Sequence, residues 1–353
     1  MLAERFRLPR SEALALLARA HVVQVAGVGP DGAPLLRTLH AALVPGDDGD
    51  ALVWHGSHKG EKSELVGRPL AIAAHETLAE IPSHFVDPER ACPATTYYES
   101  VQATGVAEDL VSPGDKARAL QALMEKYQPE GGHRPLTGDD PLYTADLKGT
   151  RVLRMPIATL AGKSKLGQNR SPAQRARIVE RLWERGAPGD LTAVDRILAG
   201  NPDTPCPGFL AAPAGARLLA GPPAALAPAA AALLEGAYWT VGETPEALAA
   251  AHRRSDAWVA AVDAASGELL ASGRVLGDGL RVAWLLDVVV RPDWRGRGLG
   301  SAIVRLLVDH PRARGARELR LRTRDAQNFY ARFGFQPLVP GEEAIPTLRR
   351  AGA

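Results

Sequence analysis

The sequence predicts two domains of different class, an antiparallel β domain followed by a mixed α/β domain. At 353 residues the chain is longer than a single hydrophobic core usually supports. Short β-branched strands with few helices fill its first part, whereas strands and helices alternate in its last part. The stretch between them is rich in proline and alanine. We therefore predict domains over residues 1–200 and 236–353, joined by a linker over 201–235.

Periodicity and turn residues place the elements of the first domain. Amphipathic helices are predicted at residues 11–20 and 113–127. Ser171 and Pro172 are typical of a helix start and Gly186 of its end, and a further helix is predicted at 190–198. The strands between these helices have the spacing of a small barrel. They are residues 21–28, 34–43, 51–55, 70–75, 97–107 and 151–157.

The second domain alternates strands and helices, as a mixed α/β fold requires. Helices are predicted at residues 245–253 and 299–309. The predicted strands are residues 238–241, 257–262, 269–275, 282–291 and 318–323.

The most informative segment is a β-branched strand that runs into a glycine-rich turn. The strand ends in residues 288–290 (VVV), and residues 295–300 (RGRGLG) then open a helix. Glycines let backbone N–H groups approach a ligand, and a helix N-terminus favours an anion, so we predict a pyrophosphate site. This turn fits neither the dinucleotide-binding fingerprint nor the end of a P-loop.

Residues 325–335 (DAQNFYARFGF) predict a short helix that ends at Gly334 and leads into a last strand. Together with the turn, this block resembles the GNAT family of acetyl-coenzyme A-dependent N-acetyltransferases, over about residues 236–340. The resemblance implies transfer of an acetyl group from acetyl-coenzyme A (acetyl-CoA) to an amine. Family members commonly have asparagine seven residues before the tyrosine of this block, whereas this chain has Thr323.

The same resemblance implies roles for individual residues. The backbone of Val288 and Val290 would bind pantetheine and donate to the thioester oxygen. Tyr330 would protonate the departing thiolate, while Asp287, Glu318 or a chain of waters would deprotonate the amine. The alternatives are a core aromatic residue for Tyr330 and a strand-end polar residue for Asp287. The turn would hold the pyrophosphate through Arg295, Gly296, Arg297, Gly298 and Gly300.

A second cluster lies at a strand end in the first domain. Residues 54–63 (WHGSHKGEKS) combine small residues, hydroxyls and two lysines, and Arg37 and Thr38 lie on the neighbouring predicted strand. An arginine, a serine and a lysine that meet there would hold a phosphate through charge-assisted hydrogen bonds. A solvated basic loop is the alternative.

Four blocks resemble FMN-binding split-barrel proteins related to pyridoxamine 5′-phosphate oxidase, over about residues 1–200. The resemblance implies a six-stranded barrel that dimerises, with FMN at the subunit interface. The C-terminal Arg-x-His substrate motif of the true oxidases is missing, so vitamin B6 oxidation is not expected, and haem is the alternative cofactor. The blocks are residues 32–37, 55–62, 92–101 with Gly105, and 162–171.

By this resemblance, cofactor-binding residues fall into three sets, at the phosphate, around the flavin ring and on the side of the partner subunit. They are Arg37, Ser57 and Lys62 at the phosphate, Thr38, Leu39 and Ser100 at the ring, and Lys165 and Asn169 from the partner. His55 and Gly56 are also expected to bind the cofactor. Cys92 is either a thiol near the ring or a small buried side chain.

Composition and charge exclude several classes of function. A net charge of +2 lacks the excess that nucleic acids demand, and the helix at 190–198 lacks the basic residues of a DNA-recognition helix. His55 and His58 have no further ligand at metal spacing, so no metal is expected. The first residues are charged and no apolar stretch reaches about 18 residues, so we expect neither secretion nor membrane insertion. The two cysteines fit a reducing cytoplasm.

We therefore expect a cytoplasmic homodimer, formed through the barrel, that acts on small molecules. Its two activities would be FMN-dependent redox chemistry and acetylation of an amine by acetyl-CoA. One alternative is an FMN-binding sensor without turnover, fused to the acetyltransferase. Another is a degenerate coenzyme A-binding module, against which the retained glycines and Tyr330 count. No motif marks the acceptor amine or the redox substrate.

Overall fold

The computed structural model describes residues 4–29, 31–46, 49–57, 65–337 and the backbone of 347–351. The chain forms two compact units. The first comprises Met1–Thr77 and Tyr97–Lys165, and the second comprises Leu78–Thr96 and Leu166–Ala353.

The first unit is built from antiparallel strands and helices. Its helices are α1 (Arg10–Arg19), α2 (Pro113–Tyr127) and α3 (Thr144–Gly149). Its strands are β1 (Arg7–Leu8), β2 (Val23–Val28), β3 (Pro34–Leu39), β4 (Ala42–Val44), β5 (Ala51–Gly56), β6 (Pro69–Ile81), β7 (Thr95–Val106), β8 (Glu108–Asp109), β9 (Arg151–Pro156) and β10 (Thr159–Lys165). One sheet has the order β1-β10-β7-β6-β2-β3, and a second sheet has the order β4-β5-β9-β8.

The core of this unit follows the two-residue period of its strands. Along β7, alternate residues such as Tyr97, Glu99 and Val101 are buried, whereas Ser100 lies on the opposite face. Trp54 of β5 is fully buried and belongs to the same apolar cluster as Val101. The period therefore decides which polar side chains of β7 are available to a ligand.

The second unit is a mixed sheet with helices. Its helices are α4 (Pro172–Arg185), α5 (Asp190–Gly200), α6 (Ala227–Leu233), α7 (Pro245–Arg253), α8 (Leu299–Val308) and α9 (Gln327–Ala331). Its strands are β11 (Ala216–Leu219), β12 (Ala257–Asp263), β13 (Leu269–Gly277), β14 (Val282–Val290), β15 (Glu318–Arg322), β16 (Gln336–Pro337) and β17 (Thr347–Ala351). The strand order is β11-β12-β13-β14-β15-β17-β16, in which β14 and β15 are parallel and the other pairs are antiparallel.

The predicted fold class is confirmed, since an antiparallel β unit is joined to a mixed α/β unit. The helix predicted from Ser171 also forms. Ser171 accepts a hydrogen bond from the backbone N of Gln174, whose side chain accepts one from the backbone N of Ser171. Gly186 ends this helix in the left-handed conformation, with φ of +60°.

The strand predicted at residues 238–241 is wrong, because these residues form turns. The Thr240 hydroxyl lies 3.0 Å from the carbonyl oxygens of Leu234 and Ala237, to which it donates. Gly236 and Gly242 reverse the chain on either side, with φ of +74° and +90°. The first strand of the sheet is β11 instead.

Residues 201–235, predicted as a linker, are packed into the second unit. β11 pairs with β12, and Ala227 and Ala230 of α6 are fully buried. The helix α4 is held in the same unit, where Trp183 Nε1 donates to Asp309 Oδ2 at 2.9 Å. The predicted boundary at residue 200 therefore falls inside the second unit. Here the alanines supply small side chains for close packing, a role that a proline-rich composition does not reveal.

His310 is fully buried in the second unit, and its Nδ1 accepts a hydrogen bond from the backbone N of Arg312 at 3.1 Å. Burial lowers the pKa of His310 from 6.5 to about 3, with the help of Arg312 and Arg314 and against a backbone interaction with Ala220. Below pH 6.5 the unfolded chain binds a proton that the folded chain excludes. The stability that neutral His310 contributes is therefore complete above pH 6.5 and is lost as the pH falls towards 3.

We expect acidification from pH 7 to pH 5 to cost about 2 kcal/mol of unfolding free energy through this residue. Urea unfolding at pH 7 and pH 5 gives the loss of unfolding free energy on acidification, for wild type and for His310→Gln. This loss should be smaller in the variant by that amount. His75→Gln, at an exposed histidine of the first unit, is the control. Equal pH dependence in wild type and His310→Gln would contradict the assignment.

Candidate functional site

The glycine-rich turn of the second unit leads directly into α8. Gly298 is the N-cap residue and has φ of +86°, and Gly296 has φ of +77°. Both lie in the left-handed region, which glycine enters without the steric cost that a side chain brings. No side chain caps the first turn of α8, so its backbone N–H groups are directed at the space in front of the helix. This arrangement suits a bound anion.

Three arginines surround this helix start. The Arg297 guanidinium stacks over the Trp294 ring, 4.9 Å from its centroid. Arg332 Nη2 lies 3.5 Å from Ser301 Oγ on the first turn of α8. The side chain of Arg295 is turned back instead, since its Nε donates to the carbonyl oxygen of Val290 at 3.2 Å. Arg297 and Arg332 are therefore the cations that could add charge to the turn.

A β-bulge interrupts β14 just before this turn. Ser272 of β13 pairs with Val289 and Arg274 pairs with Leu286, so two residues of β14 lie opposite Gly273 alone. One of them, Asp287, has φ of +50°, which is rare for a residue with a side chain. A Cβ on Gly273 would lie 2.7 Å from Leu307 Cδ1 of α8. Glycine thus lets α8 pack tightly against the strand that faces the bulge.

The parallel pairing of β14 with β15 covers only residues 282–284 and 318–320. Within the described part of the chain, residues 285–290 have no strand partner on that side. Val288 and Val290, which were predicted to bind pantetheine, lie in this open stretch. A gap between two parallel strands leaves backbone donors and acceptors available for an extended ligand.

Arginines hold both acidic residues that were predicted as bases. Asp287 Oδ2 accepts a hydrogen bond from Arg274 Nε at 2.5 Å, and its Oδ1 accepts one from Trp239 Nε1 at 3.2 Å. Glu318 accepts one from Arg320 Nη2 at 2.8 Å. Because donors from the protein occupy these carboxylates, the geometry favours a positioning role over proton abstraction.

The side chain of Tyr330 lies among aromatic rings. The rings of Phe329 and Phe335 meet it edge-on, with centroids 5.0 and 6.0 Å away. Burial raises the pKa of Tyr330 to about 12, and Tyr238 adds to the rise. The phenol therefore stays protonated at every pH at which the protein would work. Thr323, at the position where an asparagine was expected, instead accepts a hydrogen bond from the backbone N of Ala326 at 3.1 Å.

Sequence reasoning missed a group of residues that contacts Asp287 through the indole of Trp239. The ring of Tyr238 meets that of Trp239 edge-on, 4.9 Å between centroids, and Arg324 stacks on Tyr238 at 4.0 Å. Arg274 was missed as well. The aromatic pair in the sequence was a visible signal, but it was assigned to a strand.

In the first unit, the predicted phosphate-binding residues lie on two sheets. Arg37 and Thr38 are on β3, an edge strand of the six-stranded sheet. His55 and Gly56 end β5 in the other sheet, and Ser57 follows them. Lys62 lies outside the described residues. The side chain of Leu39 is only 5% exposed and belongs to the core, so its backbone alone is left to contact a flavin ring.

Ser100 and Lys165 form a separate group on β7 and β10. Ser100 pairs with Lys163 and Tyr98 pairs with Lys165, so a tyrosine and two lysines surround the serine. The ammonium groups of Lys163 and Lys165 lie 5.2 and 5.9 Å from the centroid of the Tyr98 ring. Tyr98 and Lys163 were not predicted, although each is two residues from a predicted one and so shares its face.

The order β3-β2-β6-β7 puts three strand spacings between Arg37 and Ser100, about 14 Å in one sheet. One chain therefore does not gather the whole predicted flavin set on neighbouring strands. Asn169 belongs to the second unit. Cys92 and Cys206 are both exposed, so the interpretation of Cys92 as a buried side chain does not hold.

Comparison with known proteins agrees with the architecture. Residues 9–164 match the pyridoxamine 5′-phosphate oxidase family, and residues 253–337 match the acetyltransferase (GNAT) domain. The chain joins a pyridoxamine 5′-phosphate oxidase-like domain to a GNAT domain. The GNAT match contains the bulge, the glycine-rich turn and Tyr330, and the oxidase-like match ends one residue before Lys165.

The GNAT part is similar to glucosamine 6-phosphate N-acetyltransferase 1 of Oryza sativa subsp. japonica, with 44% identity over 82 residues. These residues are 21% of this chain and 50% of the rice protein, so the chain spans about half the length of this curated relative.

Two solved structures resemble the separate parts. The FAD- and haem-binding protein of Mycobacterium smegmatis is 23% identical over 46% of this chain and 74% of its own, with a TM-score of 0.39. A GNAT-family acetyltransferase of Xanthomonas campestris pv. campestris is 28% identical over 35% of this chain and 86% of its own, with a TM-score of 0.31.

Among the described helices, none has both the length and the apolar character needed to cross a membrane. The described residues also contain no cluster of three side chains suited to hold a metal ion.

Proposed function

We propose that the GNAT domain transfers the acetyl group of acetyl-CoA to an amine. The observation that carries this proposal is the sequence of three features along one segment: the bulge at Asp287, the unpaired stretch of β14, and the glycine turn that opens α8. The turn would bind the pyrophosphate through backbone N–H groups. The open edge of β14 would pair with pantetheine and bring the thioester to the bulge.

In this reaction the amine nitrogen attacks the thioester carbonyl carbon. A carbon–nitrogen bond forms, the carbon–sulfur bond breaks, and the sulfur leaves as a thiolate. The backbone N–H of Val288 or Val290 would donate to the carbonyl oxygen while negative charge develops on it. The Tyr330 hydroxyl would give its proton to the thiolate, and the proton lost by the nitrogen would pass to water, from which Tyr330 is reprotonated.

Asp287 would act through its neighbours in this scheme. Its carboxylate links Arg274 on β13 to Trp239 and so fixes the left-handed residue that forms the bulge. The strained backbone is thereby held without a ligand. In this scheme Asp287 positions the bulge, and water accepts the amine proton.

The experiment is a thiol-release assay with acetyl-CoA and a panel of amines. The panel includes glucosamine 6-phosphate, because a relative bears that activity in its name, together with amino acids and aminated antibiotics. Acetylation of one or more amines above the rate of acetyl-CoA hydrolysis supports the proposal. Hydrolysis alone, with coenzyme bound, would indicate a degenerate coenzyme-binding module.

We further propose that the first unit binds FMN. The fit rests on two groups of residues: Arg37 on β3 with Ser57 after β5, and Lys163 and Lys165 beside the aromatic ring of Tyr98. Arg37 and Ser57 would hold the phosphate, together with Lys62. FMN supplies two-electron redox chemistry when bound. A small-molecule substrate would be reduced or oxidised there, or else the domain would be a non-catalytic, FMN-binding sensor.

A homodimer would complete this site, because a second copy can bring its Ser100 and Lys165 to the Arg37 of the first. Exposed apolar side chains on the six-stranded sheet support such a contact. Val28, Leu36 and Val106 are 56%, 61% and 49% exposed. Burial of these residues against a second copy would remove apolar surface from water. A cytoplasmic location is proposed on the unpaired state of Cys92 and Cys206.

Arg37→Gln should weaken FMN binding by about 10- to 100-fold, since a phosphate that loses one charge-assisted partner forfeits about 1.5 to 3 kcal/mol. Quenching of flavin fluorescence on titration measures the affinity. Arg118→Gln, which removes an exposed arginine of the same unit, should bind FMN as wild type does.

A wild-type protein that leaves FMN fluorescence unchanged would refute the cofactor assignment, and a Soret band after haem titration would then identify haem. If FMN binds but NAD(P)H does not bleach it without air, the sensor alternative is favoured over the oxidoreductase.

A further inference from the structure

Arg324 of the GNAT domain stacks on the ring of Tyr238. Its guanidinium lies 4.0 Å from the centroid of the Tyr238 ring, the shortest of the cation–ring contacts within the described residues. The side chain is exposed, and in the described part of the chain it forms no ion pair. An arginine that stacks on a ring face keeps its N–H donors in the plane of the guanidinium, where they can bind an oxyanion.

The backbone around Arg324 is also fixed. Its N–H donates to the Tyr238 hydroxyl at 2.8 Å, and its carbonyl oxygen accepts a hydrogen bond from Gln327 Nε2 at 3.0 Å. Stacking and backbone bonds together hold the guanidinium in one position, so little conformational entropy would be lost when it binds a ligand.

A short chain of contacts connects Arg324 to the bulge. Tyr238 meets the ring of Trp239, whose indole N–H donates to Asp287 at the bulge. Tyr238 also acts electrostatically on Tyr330, the proposed acid. Arg324 is therefore connected to Asp287 through the rings of Tyr238 and Trp239.

Two nearby arginines already form ion pairs. Arg274 is paired with Asp287, and Arg320 is paired with Glu318. Arg324 is thus a cation that an acceptor could meet without breaking an ion pair of the described residues. Asp325 follows it in the chain, but the two form no ion pair.

We infer that Arg324 binds a negatively charged group on the acceptor, so that the preferred substrates are amines that also carry a carboxylate or a phosphate. This inference rests on the proposed acetyl transfer. Both groups match the planar fork of a guanidinium through two parallel hydrogen bonds. Trp239, which is 46% exposed, would pack against the body of the same molecule.

The test compares charged amines with neutral analogues of the same shape. Phenylalanine and phenylalaninamide form the carboxylate pair, and O-phosphoethanolamine and ethanolamine form the phosphate pair. Rates are measured by thiol release with the full-length protein, for wild type, Arg324→Gln and Arg324→Lys. Arg254→Gln removes another exposed arginine of the same unit and is the matched control.

In wild type we expect kcat/KM for at least one charged amine to exceed that of its neutral analogue by tenfold or more. Arg324→Gln should remove this preference through a rise in KM, with kcat changed by less than threefold. Arg324→Lys should restore it in part, and Arg254→Gln should keep it. The pair that shows the preference identifies the anionic group.

Four results would overturn the inference. Equal rates for charged and neutral amines, or an unchanged preference in Arg324→Gln, would exclude the arginine as the binding group. Acetylation confined to panel amines that carry neither a carboxylate nor a phosphate would exclude the substrate class. If no amine at all is acetylated, the proposed transferase activity itself fails, and the assignment of Arg324 fails with it.

Discussion

Tyr330→Phe should lower the maximal rate of amine acetylation by about 10²- to 10⁴-fold while coenzyme affinity changes little. The substitution keeps the ring that packs between Phe329 and Phe335 and removes only the hydroxyl. If the phenol is the proton donor, the thiolate must then leave without a positioned acid. Thiol release at saturating substrates gives kcat, and calorimetry gives the coenzyme affinity.

The pH profile distinguishes this role from simple packing. Because the pKa of Tyr330 is raised to about 12, its ionisation should not lower the rate of wild type below pH 10. Tyr143→Phe, which removes a hydroxyl in the other unit, serves as the control. A Tyr330→Phe protein that acetylates at the wild-type rate would exclude the phenol as the acid. A lower melting temperature with normal kcat would indicate a core aromatic residue.

Gly298→Val should reduce acetyl-CoA affinity by at least about 100-fold, because a branched side chain would fill the space where backbone N–H groups approach the pyrophosphate. At φ of +86° any side chain also strains the backbone. A matched control is therefore needed. Gly267→Val carries the same kind of strain, since Gly267 has φ of +76° and open space around it, but it lies in a hairpin turn away from α8.

Calorimetry with acetyl-CoA on both variants separates the two effects. Loss of affinity in Gly298→Val alone assigns the turn to the coenzyme. Equal losses of affinity in both variants would show that backbone strain is responsible, and not a side chain that fills the pyrophosphate site at the turn. FMN binding should be unchanged in either variant.

Local signals in the sequence predicted most helices of both units. Helix α4 begins at the serine and proline that were expected to start it, and α2 and α7 have the predicted bounds. Caps and apolar spacing act within one turn of helix, so a sequence displays them directly. The association of α4 and α5 with the second unit depends on contacts such as Trp183 to Asp309, which join residues 126 positions apart. No local pattern encodes such a contact.

The candidate site divides in the same way. The turn at residues 295–300 was predictable, because glycine content and helix start lie in one segment. The bulge was not, since it depends on the register of β14 against β13 and on a side chain from residue 239. The role of Arg324 was not predictable either, because it depends on the ring of Tyr238, which is 86 residues away in the chain.

The proposed coenzyme contacts are made by the main chain, which bears on how this domain could diversify. Backbone N–H groups at the start of α8 and the open edge of β14 do not change when side chains do, provided that the glycines stay. The proposed acceptor side is formed by the side chains of Tyr238 and Arg324, on turns outside the sheet. Substitutions there would alter the choice of acceptor and leave the acyl donor untouched. Selection could thus act on one substrate of the reaction independently of the other.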